Sequence, residues 1–306
     1  MKFLSKNSYL KESSGEIKKQ VKYLLNAAGV GDKLPTPKED IVACSKLVEI
    51  KQLDLSKYEE SLFKKGISVL KTALSKIKGL IDFRQKIIYV DPNIHPSQKT
   101  FVTYHEVSHR IFPWHEGLYN PHIDTEYSLD TYVAKGSDME ANFGASLIQF
   151  QIYKFKNELK DLPLGLNSAI YLAQRYETSL HSTFRKYVEE NHKECALLVF
   201  KNLNGIASKD KPPLELWYFI QSEKLKDEFG RIDWPKLYYP RDPIYDAVYE
   251  NPFGLVGEGE MVIENMAGFK KRCKIEAFYN TFNHFVLVFP MPKLSLKKKR
   301  IIIENK

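Results

Sequence analysis

Cysteine is scarce and scattered, with Cys44, Cys195 and Cys273 the only three in 306 residues. Odd in number and without a C-x-x-C pair, they exclude a disulfide framework and a thiolate zinc site. Long apolar runs are missing too. The strongest, Cys195–Phe200 and Phe285–Phe289, reach about a quarter to a third of the ~20 residues that a membrane span requires. No apolar stretch of signal-peptide length follows Met1–Lys6, so the cytoplasm is the expected compartment and no membrane partner is expected. Internal repeats and low-complexity tracts are also absent. Charge of one sign is only mildly in excess: 46 Lys and Arg stand against 38 Asp and Glu, a net +8. Residues 293–306 hold six Lys or Arg and one Glu, so this tail contributes +5 of the +8. The rest of the chain is close to neutral, and its composition makes no case for nucleic acid.

What is present is globular chemistry at about twice the usual single-domain length. Helical periodicity marks the first two thirds. Ile17, Val21, Leu24 and Leu25 share one face before Gly29, and Ile41, Val42, Cys44, Leu47 and Val48 form a second stripe. A third covers about 57–78. The period then changes: Leu80–Phe83 and Ile87–Val90 predict a short hairpin. Helices are expected over about 98–112, 138–159, 167–175, 179–191 and 194–203. Between them, 114–136 looks like a long loop of the functional kind. Beyond a linker at 209–213 the chain turns aromatic, with strands expected at 216–220, 255–263, 271–279 and 285–289. The reading is an α+β protein in three parts: 1–160, a helical segment 161–208, and a strand-containing 209–306 with the basic tail.

The chemistry is concentrated in His105-Glu106-Val107-Ser108-His109, an H-E-x-x-H inside a predicted helix. Four residues is about one turn, so both imidazoles leave the same face and can close on one ion. Glu106 then stands where it can act as general base toward a water beside the metal. The plain alternative is a polar helix face with two solvated histidines. The flanking Phe101-Val102 and Ile111-Phe112 argue for a buried setting, where such groups need partners. Two histidines leave a catalytic Zn²⁺ short of a third protein ligand. His115 has metzincin spacing, although Phe112 replaces the glycine of that pattern. Glu140, near the start of the next helix, is the other candidate and would make a His₂Glu site.

Val90-Asp91, Phe101–His109 and Glu140-Ala141-Asn142-Phe143-Gly144-Ala145-Ser146-Leu147-Ile148 resemble the ImmA/IrrE family of metallopeptidases. The resemblance covers about residues 20–190. It departs at Gly144, where the family usually has Phe, at Ser108, where Gly is common, and in a longer spacer between the motifs. It implies a zincin-like first domain, with Zn²⁺ on His105, His109 and Glu140 and with Glu106 as the catalytic base. It also implies zinc-dependent cleavage of a protein substrate, often a DNA-binding transcriptional repressor. His115, Tyr119, His122 and Tyr127 are the candidate oxyanion donors. Residues 169–188 resemble a helix-turn-helix in spacing, with packing helices as the plainer reading. The alternative function is a non-catalytic regulator that binds DNA or a partner protein and uses zinc as a structural or sensing site.

Overall fold

The computed structural model describes residues 6–47, 49–52, 79–83, 85–119, 131–201, 212–250 and 254–291. The expected helix at 57–78 and the basic tail lie outside them. The fold is mixed α+β, and the chain divides into two compact units. Met1–Glu158 with Leu172–Ser179 forms one, and Leu159–Tyr171 with Leu180–Lys306 forms the other. The expected boundary near 210 falls among residues outside the description. No helix among the described residues is long and apolar enough to cross a membrane.

The first unit opens with helices α1 (Lys6–Ala27) and α2 (Lys38–Cys44). Strands β1 (Glu49–Gln52), β2 (Gly79–Asp82) and β3 (Ile87–Val90) form a sheet of order β1-β3-β2. The expected hairpin is β2 antiparallel to β3, and β1 adds a parallel partner on the far side of β3. Helix α3 (Pro96–Ile111) follows, then a 3-10 helix at Pro113–Tyr119 and helix α4 (Thr131–Phe150). One apolar core joins them: Ile17, Val21 and Leu24 from α1, Ile88 and Val90 from β3, Val102 and Val107 from α3, and Leu147 and Ile148 from α4. These are the i, i+4 and i+7 stripes of the sequence, buried against one another.

The helix expected over 138–159 is broken. Gln151 adopts φ 40 between α4 and α5 (Ile152–Asp161). This is the left-handed region that non-glycine residues seldom enter. Its buried side-chain amide donates to the carbonyls of Val30 and Lys33, at 3.2 and 2.7 Å. The break thus ties the segment after α1 to the end of α4. Helix α6 (Leu166–Arg175) ends in this unit, where the Tyr176 ring meets Phe150 and Phe155 at 6.1 and 5.3 Å.

In the second unit, helix α7 (Leu180–Glu189) precedes strand β4 (Ala196–Lys201). β5 (Leu214–Gln221), α8 (Glu223–Phe229), β6 (Leu237–Tyr238) and α9 (Pro243–Tyr249) come next. β7 (Gly257–Glu264), β8 (Lys270–Tyr279) and β9 (Asn283–Pro290) complete an antiparallel sheet of order β6-β5-β4-β9-β8-β7. The four strands expected from the aromatic region are all present, but the helix expected over 194–203 is β4. Residues 196–200 are buried without a break. A central strand covered on both faces has no alternation, so periodicity alone does not separate it from a buried helix. Ala196, Leu198 and Phe200 join a core with Ile244, Ile275 and Val286. On α7, Phe184 packs edge-on against Phe285 at 5.0 Å. Its cations are spent locally: Arg185 and Lys186 pair with Glu189 at 2.7 and 3.0 Å. α7 is a packing helix for the sheet.

The contact that positions the site is between α3 and α4. A Cβ on Gly144 would meet Ser108 Oγ at 2.6 Å and Phe112 Cζ at 2.7 Å. Neither neighbour gives easily, because Ser108 Oγ donates to the Tyr104 carbonyl at 2.7 Å and Phe112 is fully buried. In an open helix Gly→Ala would gain about 1 kcal/mol, whereas overpacking a core costs about 1–3 kcal/mol. Gly144→Ala should therefore destabilise this unit by about 1–2 kcal/mol, and a thermal unfolding curve at or above wild type would count against the close approach.

Candidate metal centre

His105 and His109, one turn apart on α3, project from one face with their Nε2 atoms 3.1 Å apart. His109 is buried at 2% exposure and Glu106 at 6%, whereas His105 is partly exposed. Helix α4 supplies the groups opposite. Asp138 Oδ1 lies 3.7 Å from His109 Nε2 and 4.0 Å from His105 Nε2. One turn on, Asn142 Oδ1 accepts from His105 Nδ1 at 3.1 Å. An amide oxygen only accepts, so the His105 proton sits on Nδ1 and its Nε2 keeps a lone pair.

Among the described residues, His105, His109 and Asp138 form the one group of possible metal ligands, with their atoms all within 4.8 Å of one another. Tetrahedral bonds of about 2.0–2.1 Å would space ligand atoms about 3.3 Å apart. The observed separations bracket this value. Two imidazoles and a carboxylate are a donor set that several first-row dications accept. The residues therefore fit a metal ion.

Glu140, the expected third ligand, lies outside that group. Two residues along a helix is a rotation of about 200°, so Asp138 and Glu140 address different neighbours. Glu140 Oε2 accepts from Trp114 Nε1 at 2.7 Å and from His115 Nε2 at 2.8 Å. His115 is fully buried and sets its Nδ1 2.9 Å from His109 Nδ1. It touches His109 and does not join the group. Of the other candidate donors, His122 and Tyr127 lie outside the described residues. Tyr119 ends the 3-10 helix, and its side chain is outside the description. Asp138 was missed in the sequence, although its i, i+4 spacing with Asn142 marks a shared helix face.

Electrostatics suit a cation at this point. Burial holds His109 far below the ordinary imidazole range, with the neighbouring rings of His105 and His115 adding to it. Burial also lowers His105, against the pull of Asp138. Both rings are thus held neutral, the state in which imidazole binds metal. Burial, then the nearby Asp138 charge, pushes the Glu106 carboxyl up to about 8. For Glu140, burial is opposed and outweighed by hydrogen bonds, that of His115 foremost, so its carboxyl is held below its usual value. Glu106 also lies against the edge strand β2. A Cβ on Gly79 would lie 2.8 Å from Glu106 Oε1 and 2.5 Å from Val102 Cγ1, so the strand backbone comes this near only as glycine.

No protein-family model matches the chain. A search of curated proteins also finds no match. Among solved structures, the chain is similar to a Mycobacterium tuberculosis transcriptional regulator. The TM-score is 0.51 at 9% identity, over 92% of this chain and 78% of that one. At that identity the likeness speaks for the fold alone.

Titration of the purified protein with Zn²⁺ should show one tight site per chain. Asp138→Ala should weaken it by at least about tenfold, and His109→Ala should remove it. Unchanged affinity in both variants would place the metal elsewhere.

Proposed function

We propose that the chain is a metal-dependent endopeptidase of the ImmA/IrrE type, with a zincin-like first unit and Zn²⁺ as its metal. One observation carries this: two neutral imidazoles, a facing carboxylate and a buried glutamate converge within one turn of α3. That is the equipment of metal-assisted hydrolysis. His105, His109 and Asp138 would hold the ion. When bound, the metal supplies Lewis-acid chemistry, polarising a carbonyl and acidifying water.

The remaining work falls to the protein's own side chains. Glu106, adjacent to the first histidine in sequence, takes the proton of the attacking water and returns it to the leaving amine. Its burial among Val102, Gly79 and α3 raises its proton affinity in the metal-free chain. A positive charge at the neighbouring position acts in the opposite sense and favours the carboxylate that a base requires. Asn142 holds His105 in the orientation described above. The proposed substrate is a protein, with a DNA-binding repressor as the expected kind of target, met in the cytoplasm.

A second reading has its own support. The structural neighbour is described as a transcriptional regulator. In that case the metal would serve structure or sensing, and a partner protein or DNA would be bound without cleavage. Glu106→Gln separates the two. For the peptidase, this variant keeps Zn²⁺ and loses cleavage by about 10²-fold or more. Comparing protein fragments from cells carrying wild type or Glu106→Gln reads activity and substrate together. Identical fragment patterns, with Zn²⁺ retained in both proteins, would favour the regulator.

A further inference from the structure

We infer that Glu140 and His115 form a hydrogen-bond relay that fixes the tautomer of His109, so that a lone pair at its Nε2, and not an N–H, faces the metal position. The inference rests on the metal reading above and assigns both residues as positioning residues with no bond to the ion.

The relay follows from donor and acceptor counting. An ionised carboxylate only accepts. Glu140 Oε2 receives Trp114 Nε1 at 2.7 Å and His115 Nε2 at 2.8 Å, so His115 carries its proton on Nε2. His115 is fully buried beside two more imidazoles. His109 turns its Nε2 toward His105 Nε2 and Asp138, so a ring that binds an ion there carries its proton on Nδ1, with His115 Nδ1 as the acceptor. The 2.9 Å contact between the Nδ1 atoms of His115 and His109 then requires His109 to donate. A neutral His109 that donates from Nδ1 has its lone pair on Nε2. Asn142 imposes the same tautomer on His105.

The two lone pairs now face each other at 3.1 Å with no proton between them. They repel until a cation lies between them, and Asp138 closes the third side. The ring of His115 is itself held in place. Phe112 and Trp114 stack at 5.1 Å with 1° between planes, and both meet His115 edge-on at 85°. This accounts for Phe112 in place of the metzincin glycine. The chain after α3 is packed so that His115 supports His109 from behind.

The test uses the full-length protein loaded with Zn²⁺ or Co²⁺. Long-range ¹H–¹⁵N spectra of the Zn²⁺-loaded wild type should show His109 protonated on Nδ1 and His115 on Nε2. Glu140→Ala should weaken Zn²⁺ binding about ten- to a hundredfold, with the Co²⁺ absorption bands at saturation unchanged. Glu140→Gln keeps an oxygen acceptor and should restore most of that loss. A His115 proton on Nδ1, or equal Zn²⁺ affinity in Glu140→Ala and wild type, overturns the relay while leaving the metal site standing. Co²⁺ bands that shift in Glu140→Ala also overturn it, because Glu140 would then be a ligand. A wild type that binds no Zn²⁺ removes the metal reading and the relay together. The wild-type spectra need no variant, so misfolding of Glu140→Ala does not protect the inference.

Discussion

Everything at the site depends on how near α4 comes to α3. Gly144 has no Cβ, and the space a methyl would need is already filled by Ser108 and Phe112. That approach carries Asp138 and Asn142, which precede Gly144 on α4, up to the rings of His105 and His109. It also carries Glu140 to Trp114 and His115. A phenylalanine, which the resembling family usually has here, would find no room in this packing.

Close packing alone does not make so polar a cluster tolerable. Glu106, His109, His115 and Glu140 are all buried, and each would cost stability if left without a partner. Three of them avoid this through one another: His109 meets His115, and His115 meets Glu140. What remains is electrostatic, namely two imidazole nitrogens 3.1 Å apart beside Asp138 and a Glu106 carboxyl with a raised proton affinity. Both are relieved by positive charge at the same point. The surrounding apolar core of α1, β3, α3 and α4 supplies the stability that lets such a point persist.

Much of this was legible in the sequence, and the parts that were not share a cause. The H-E-x-x-H spacing places two rings on one face because helical rotation is fixed. The β2–β3 hairpin and the aromatic strands show themselves through short runs of aliphatic and aromatic residues between turns. By contrast, β4 lacks alternation because both its faces are covered. The break at Gln151 reflects bonds to Val30 and Lys33, far away in the chain. The choice between Asp138 and Glu140 is of the same kind. Both are acidic residues two apart on one helix, and only the angle at which α4 meets α3 decides that Asp138 lies beside His105 and His109 while Glu140 meets His115. His115 has a ligand's spacing, yet it lies between Glu140 and His109 with Phe112 and Trp114 edge-on to its ring.

The division of the chain into units has a further consequence. The chain passes from one unit to the other at 158/159, returns at 171/172 and leaves again at 179/180. Leu172–Ser179 belongs with the histidines, and Tyr176 closes the aromatic contact with Phe150 and Phe155. Leu159–Tyr171 belongs with the large sheet, where Glu276 accepts from the backbone of Leu166 at 2.7 Å. No single cut therefore frees either unit whole. A stop codon after residue 160 strips the first of its Tyr176 segment, and a start at 180 strips the second of Leu166. The chain crosses between the units three times, and the simple exchange of modules open to proteins joined by one linker is closed to this one.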